Sequence, residues 1–234
     1  MNIDLLHDTK PSRGDVARNR LIEAGLQCFA DRGLEGVTIR EIARISGQNS
    51  AAITYYFGGK EGLYRTVLEA VMHFFRKNVL LVEQAMGNAS SLCVMSPGLA
   101  VIILKRIQRN FAIAILTDAK AAQFAMLMVR EQTQPTAAFE ALYRDTVEPM
   151  HRMLSQILAR ITGDEPDSPK AVLRAHALIG QLQSFVMARE TLLRRMGWSE
   201  YDTDRASLVA DMLAENLDTF VAGLKTQPLR NKSI

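Results

Sequence analysis

Apolar residues recur along this 234-residue chain at intervals of three and four, and no stretch shows the period-two alternation of a strand, so the whole chain is expected to be α-helical. The first helix is predicted over about residues 15–32, with Ile22, Leu26 and Phe29 on its core stripe and Gly33 as its stop. Two short helices and a tight turn follow. Thr38 and Glu41 make a T-x-x-E capping box, in which each side chain satisfies a backbone N–H at the helix start, a device worth about 1 kcal/mol. Ile39, Ile42, Ala43 and Ile45 supply the apolar face, and Ser46-Gly47 supplies the break. Asn49 is placed to cap a second helix running through Tyr56, with Ala52, Ile53 and Tyr56 turned inward and Ser50, Ala51, Thr54 and Tyr55 left outside. From about residue 61 to 86 one long amphipathic helix carries Leu63, Val67, Val71, Phe74 and Phe75, and is expected to leave the first domain as a lever into the next.

Beyond it, residues 87–97 read as a loop, and helices are expected over about 98–116, 119–131, 135–160, 169–195 and 202–224. Pro149 lies inside the third of these and should bend or split it. Ala175, Ile179, Leu182 and Val186 form one stripe, and Leu213, Leu217, Phe220 and Leu224 another. Two such helices from each of two subunits would make a four-helix bundle, although the same stripes also suit an internal core. This gives a tail (1–14), a three-helix domain (15–65), a larger helical domain (66–226) and a second tail (227–234).

The exposed side of the short hairpin suits DNA. No acidic residue occurs from Gly47 to Gly59, and the Ser, Thr, Asn, Gln and Tyr side chains there can bond phosphate oxygens or base edges. Lys60, at the start of the long helix, can meet a phosphate alongside backbone N–H groups. The spacing alone also fits an ordinary helical hairpin in a core.

Composition adds limits. With 48% hydrophobic residues the chain can bury a sizeable core in two domains. No apolar run reaches 18 residues and MNIDLLHDTKPSRGD lacks an h-region, so neither a membrane span nor a signal peptide is expected, and a cytoplasmic address is. Cys28 and Cys93 lack metal or redox spacing and are read as two buried thiols. The net charge of +3 is mild, and residues 1–65 hold nine Lys/Arg against eight Asp/Glu, so charge alone does not identify a nucleic-acid partner. Distribution matters more: Arg13, Arg18, Arg20, Arg40, Arg44 and Lys60 could flank a groove.

Thr38, Ile42, Ala43, Gly47, Tyr56-Phe57, Lys60-Glu61 and Leu63 fall in the register T-x-x-x-I-A-x-x-x-G, aromatic pair, K-[ED]-x-L. This resembles the DNA-binding domain of the TetR family of transcriptional regulators. The resemblance implies base or sugar contacts from Ser50, Ala51, Ala52, Thr54 and Tyr55, and phosphate contacts from Thr38, Tyr56 and Lys60. It also implies a homodimer, usually a repressor, on a palindromic operator of double-stranded DNA, released by a small-molecule effector and needing no cofactor. Gln48-Asn49 departs from the usual apolar residue and Ser/Thr, and adds Gln48 and Asn49 to the candidate DNA contacts. That pair, with Ala-Ala-Ile-Thr-Tyr-Tyr-Phe-Gly after it, is similar to the CecR-like subgroup. So are Arg130-Glu131-Gln132, the stretch from His176 to Gly180, and Arg189-Glu190 ahead of Leu193 to Trp198.

For the effector, Phe111, Ile115, Phe124, Met126, Met128, Met150 and Met153 offer a soft apolar lining, with Gln123, His151, His176 or Gln181 as polar anchors. Core packing is the other use of the same residues. Enzyme readings find no support. Gly59-Lys60 lacks the remaining P-loop residues, with Glu61 where Ser or Thr must hold magnesium and Thr54 where the leading Gly is needed. His7, His73, His151 and His176 show neither metal-ligand spacing nor a partnered nucleophile. No catalytic residue and no metal site are expected. The competing reading is an all-α module that binds a ligand or a protein without reading DNA.

Overall fold

The structure, a computed structural model, describes residues 12–86 and 95–226, and the described residues are helical throughout apart from turns and short connections. They fall into two compact units, divided between Ala70 and Val71.

The first unit holds α1 (Arg13–Arg32), α2 (Ile39–Ser46), α3 (Ser50–Phe57) and the beginning of α4 (Lys60–Met86). Leu21, Phe29, Ile42, Ile53, Leu63 and Val67 are fully buried and form its core, with the Phe29 and Tyr64 rings edge to face at 4.9 Å. α1 starts two residues earlier than the pattern suggested. Ser12, read as part of a tail, is its N-cap: the hydroxyl accepts from the Asp15 N–H, and the Asp15 carboxylate accepts from the Ser12 N–H, a complete capping box. Those Ser12 bonds hold the Asp15 carboxyl below its usual range.

At α2 the box is only half made. Thr38 Oγ1 accepts from the Glu41 N–H at 3.3 Å, but the Glu41 carboxylate takes the Arg32 guanidinium at 2.5 Å as its principal partner, which also lowers its pKa. The Arg32 guanidinium out-competes a neutral N–H because a charge-assisted bond is about twice as strong. Gly47 then ends α2 in the left-handed region, at φ 66°.

In the second unit α4 continues from Val71, followed by α5 (Pro97–Thr117), α6 (Ala119–Thr133), α7 (Phe139–Leu142), a π-helical turn (Tyr143–Val147), α8 (Glu148–Thr162), α9 (Pro169–Met187), α10 (Arg189–Met196) and α11 (Thr203–Thr226). Leu104, Ile107, Met153, Leu154, Ile157, Leu158, Ala175 and Leu217 share one core cluster. Two ion pairs join α5 to α11, Lys105 with Asp218 at 2.5 Å and Arg109 with Asp211.

Two sequence expectations change here, and a third, the break at Pro149, is met. The helix expected from residue 135 begins only at Phe139, because the buried Glu131 carboxylate accepts from both the backbone N–H and the hydroxyl of Thr136 and holds the chain in a turn. Glu131 is therefore an internal charge. Pro149 is accommodated at the start of α8, directly after the π-helical turn, which absorbs the backbone mismatch of a residue without an N–H. The helix expected over 169–195 breaks at Ala188, whose φ and ψ of −105° and 28° leave the helical region.

The two apolar stripes also face inward within the chain. Ala175, Val186, Leu213 and Leu217 are buried in the unit's own core, and Ile179, Leu182, Phe220 and Leu224 are half-buried. The side of α9 left open carries Val172, Leu173, His176, Ala177, Gly180, Gln181 and Ser184, with Leu173 68% exposed. Cys28 is buried, and burial pushes its thiol above the ordinary value. Cys93, the loop expected over 87–97 for the most part, and the greater part of the two expected tails lie outside the described residues.

Candidate functional site

The hairpin presents a helix with hydroxyl and phenol groups and no charge. Ile53 alone in α3 is fully buried and anchors it, while Ala51, Thr54 and Tyr55 are exposed and Ser50, Ala52 and Tyr56 are half-buried. Tyr55 is 82% exposed, and its ring meets Tyr56 edge to face at 5.0 Å, which stiffens an otherwise free side chain. Asn49 Oδ1 accepts from the Ala51 N–H at 3.0 Å, so capping uses the acceptor and leaves the amide N–H groups for a partner. Thr38 likewise spends an acceptor lone pair on its cap and keeps its O–H. The Gln48 N–H donates to the Ala43 carbonyl and its half-buried side chain sits at the turn.

Lys60 is tied at its tip. Its Nζ donates to the Leu34 carbonyl at 2.9 Å, fixing the ammonium at the start of α4 with two N–H donors unspent. A Cβ on Gly14 would lie 3.3 Å from the Tyr56 hydroxyl, so the start of α1 passes close to the end of α3. Arg18 stacks its guanidinium over Phe57 at 5.4 Å, and Arg13, Arg20, Arg40 and Arg44 are exposed. Thus Thr38, Gln48, Asn49, Ser50, Ala51, Ala52, Thr54, Tyr55, Tyr56 and Lys60 all lie on α3 or at the ends of its neighbouring helices.

The second unit contains a cavity, part of it open to solvent. Phe111, Met128 and Met150 line it, as do Ile115 and Met153. Phe124, His151, His176 and Gln181 are not on its wall. Phe124 is buried against Phe74, with ring centroids 5.2 Å apart, whereas His176 and Gln181 lie on the open side of α9. His151 stacks on His176 at 5.5 Å, and burial first and the neighbouring His176 second lower its pKa. The polar residues that do line the cavity are Gln108, Gln132 and Gln183, none of them among the polar anchors expected from the sequence. Gln108 had a readable signal. It occupies the buried four-residue track of Ala100, Leu104 and Ala112, where a polar residue is out of place.

An exposed, uncharged helix in a helix-turn-helix unit, joined in one chain to a helical unit with an apolar cavity, defines the class of DNA-binding transcriptional regulators. Residues 21–67 match the profile of the tetR family of bacterial regulatory proteins, and residues 100–224 match that of the C-terminal domain of the HTH-type transcriptional dual regulator CecR. Over 223 residues the chain is 33% identical to the HTH-type transcriptional dual regulator CecR of Shigella flexneri, covering 93% of this chain and 96% of that one. The chain therefore belongs to the TetR family, in its CecR-like branch. Solved structures agree on the fold. A TetR-like regulator from Rhodococcus sp. RHA1 superposes with a TM-score of 0.62 at 19% identity, over 92% of this chain and 100% of that one. AibR, solved with isovaleryl coenzyme A and operator DNA, gives 0.60 at 16% identity over 86% and 97%. It is a regulator, not an enzyme.

Proposed function

We propose that the protein is a homodimeric repressor that binds a palindromic operator and is released by a small-molecule effector held in the second unit. The exposed face of α3 carries the reading. Its Thr54 and Tyr55, with half-buried Ser50, offer donors and acceptors in a stretch from Gly47 to Gly59 that has no acidic residue to repel phosphate, as a helix entering the major groove requires. In this reading Thr38, Tyr56 and Lys60 hold phosphates, while Gln48 and Asn49 bind at the turn. Ser50, Ala51, Ala52, Thr54 and Tyr55 meet bases or sugars.

One eight-residue helix reads too few base pairs, so two copies related by a two-fold axis would address half-sites about 34–36 Å apart. The open side of α9 supports an interface: Val172 and Leu173 provide apolar area, and Ala177, Gly180 and Ser184 allow close approach of a second helix. Release follows from linkage. An effector that prefers the dimer form with the wrong spacing for DNA weakens DNA binding by the same factor, typically about 1–3 kcal/mol.

The test is a gel shift on DNA upstream of the protein's own gene, at two salt concentrations and with random duplex as competitor. A competitor-resistant complex with two-fold symmetric protection is expected. Binding that random duplex abolishes, followed by a genome-wide site selection that returns no shared sequence, would overturn the reading.

A further inference from the structure

The cavity described above has a wall with no charge on it. Its seventeen lining residues include no Asp, Glu, Lys, Arg or His, and Gln108, Gln132 and Gln183 are the only polar side chains among them. A charged ligand group placed at the buried end, beside Gln108, would lose its hydration without gaining a counter-charge. The cavity therefore selects for neutral molecules.

Gln108 sets the second requirement. It is 5% exposed, and neither its amide nitrogen nor its amide oxygen has a hydrogen-bond partner. The other two glutamines are less demanding: Gln132 is exposed and donates to the Met128 carbonyl at 3.2 Å, and Gln183 is half-buried. A buried amide left unpaired is costly, and native interiors rarely keep one without a use. Water is a poor substitute, since a trapped molecule needs two to four polar partners and the rest of the wall is Phe, Met, Ile, Leu, Val and Ala. A primary amide offers a donor and an acceptor side by side, so its best complement is an acceptor and a donor side by side.

From this juxtaposition we propose that the cavity binds a neutral, mainly apolar molecule with an adjacent carbonyl and N–H or O–H, and that Gln108 is the residue that recognises that pair. The assignment rests on the effector-controlled reading for its biological use, but not for its chemistry.

A matched set of bicyclic probes tests it on the full-length protein. 2-Quinolone presents a carbonyl beside an N–H. 1-Methyl-2-quinolone keeps the carbonyl and loses the donor, naphthalene has neither, and 2-quinolone-4-carboxylate adds a charge. Titrations followed by probe and protein fluorescence should rank 2-quinolone about five- to tenfold tighter than its N-methyl analogue, the span of one ordinary hydrogen bond. The carboxylate should bind at least tenfold more weakly than 2-quinolone.

In Gln108→Leu the preference for 2-quinolone over 1-methyl-2-quinolone should collapse to about one, with naphthalene binding unchanged or tighter. The unliganded variant should melt higher by roughly 2–4 °C, because an unpaired polar group has been replaced by an apolar one. Gln108→Met serves the same purpose if the leucine variant misfolds. A preference that survives both substitutions overturns the role of Gln108. Equal binding of the carboxylate, or no binding of any probe to the wild type, overturns the neutral-ligand assignment. Repeating the operator gel shift with bound 2-quinolone reads the effector function separately. A Gln108-dependent complex that leaves the operator occupied counts against effector release by this ligand and still supports the site.

Discussion

Helix α3 in the first unit and the open side of α9 in the second both present faces short of charge, and the side chains on them differ in kind. On α3 the exposed polar groups are the Thr54 hydroxyl and the Tyr55 phenol, with the half-buried Ser50 hydroxyl beside them in sequence, so lack of charge leaves a surface that can still make directed bonds. On α9 they are Val172, Leu173, Ala177 and Gly180, together with His176, Gln181 and Ser184, and there the gain comes mainly from removing apolar area from water. Arg174, the one charge within that stretch of α9, is drawn aside to Asp164 and over the Phe220 ring. The absence of acids and bases thus points to a partner only once the side-chain tips are considered.

The contrast breaks most severely if α9 is given a charge. In the proposed dimer Leu173→Asp buries an unpaired carboxylate at the two-fold interface, a cost of about 3–5 kcal/mol. Sedimentation should show a monomer that has lost operator binding but melts close to the wild-type monomeric limit, since Leu173 is 68% exposed within the chain. A variant that stays dimeric would remove α9 from the interface. Tyr55→Ala should cost about 1–3 kcal/mol of operator discrimination with little change in melting temperature, and operator-to-random affinity ratios measured side by side would reveal it. If that ratio stays at the wild-type value, α3 is not the reading helix. Lys60→Ala should act more weakly and without regard to sequence, lowering the salt slope by about one unit. An unchanged slope would leave Lys60 as only the brace of the Leu34 carbonyl.

The smallest expected effect is on pH dependence. His151 has a folded-state pKa below its ordinary value, from burial first and from His176 second, so the unfolded chain takes up the proton first. Stability is then full above about pH 6.5 and falls as pH drops below it, until the folded-state histidine also protonates. Between pH 7.5 and 5.5 the wild type should lose more melting temperature than His151→Gln. Parallel losses would show that this histidine is not the linked group.

Legibility followed the same division. The hairpin could be read because its instructions are local: Thr38 and Asn49 cap, Gly47 turns, Ile53 anchors, and each signal lies within a few residues of the structure it makes. The half-made box at Thr38 was not readable, since Arg32, nine residues away, claims Glu41. In the second unit the signals are apolar and interchangeable. Phe111 and Phe124 look alike in sequence, yet one lines the cavity and the other packs on Phe74, a difference that depends on how distant helices meet. The stripes on α9 and α11 left two readings open for the same reason, because a helix in a small bundle has an internal and an external neighbour and periodicity does not say which one a stripe faces. Gln108 was the exception that local reasoning could have caught.

The π-helical turn at Tyr143–Val147 also acts as a phase setting. A turn of this kind holds one residue more than an α-helix needs, and one residue corresponds to about 100° of rotation about the helix axis. Met150, Met153 and Leu154 on the cavity wall take their azimuth from that extra residue. Shortening the turn by a single position would swing the three away from the cavity or rotate α7 by the same angle. The shape of the cavity is therefore coupled to a count of residues in a segment that supplies none of its walls.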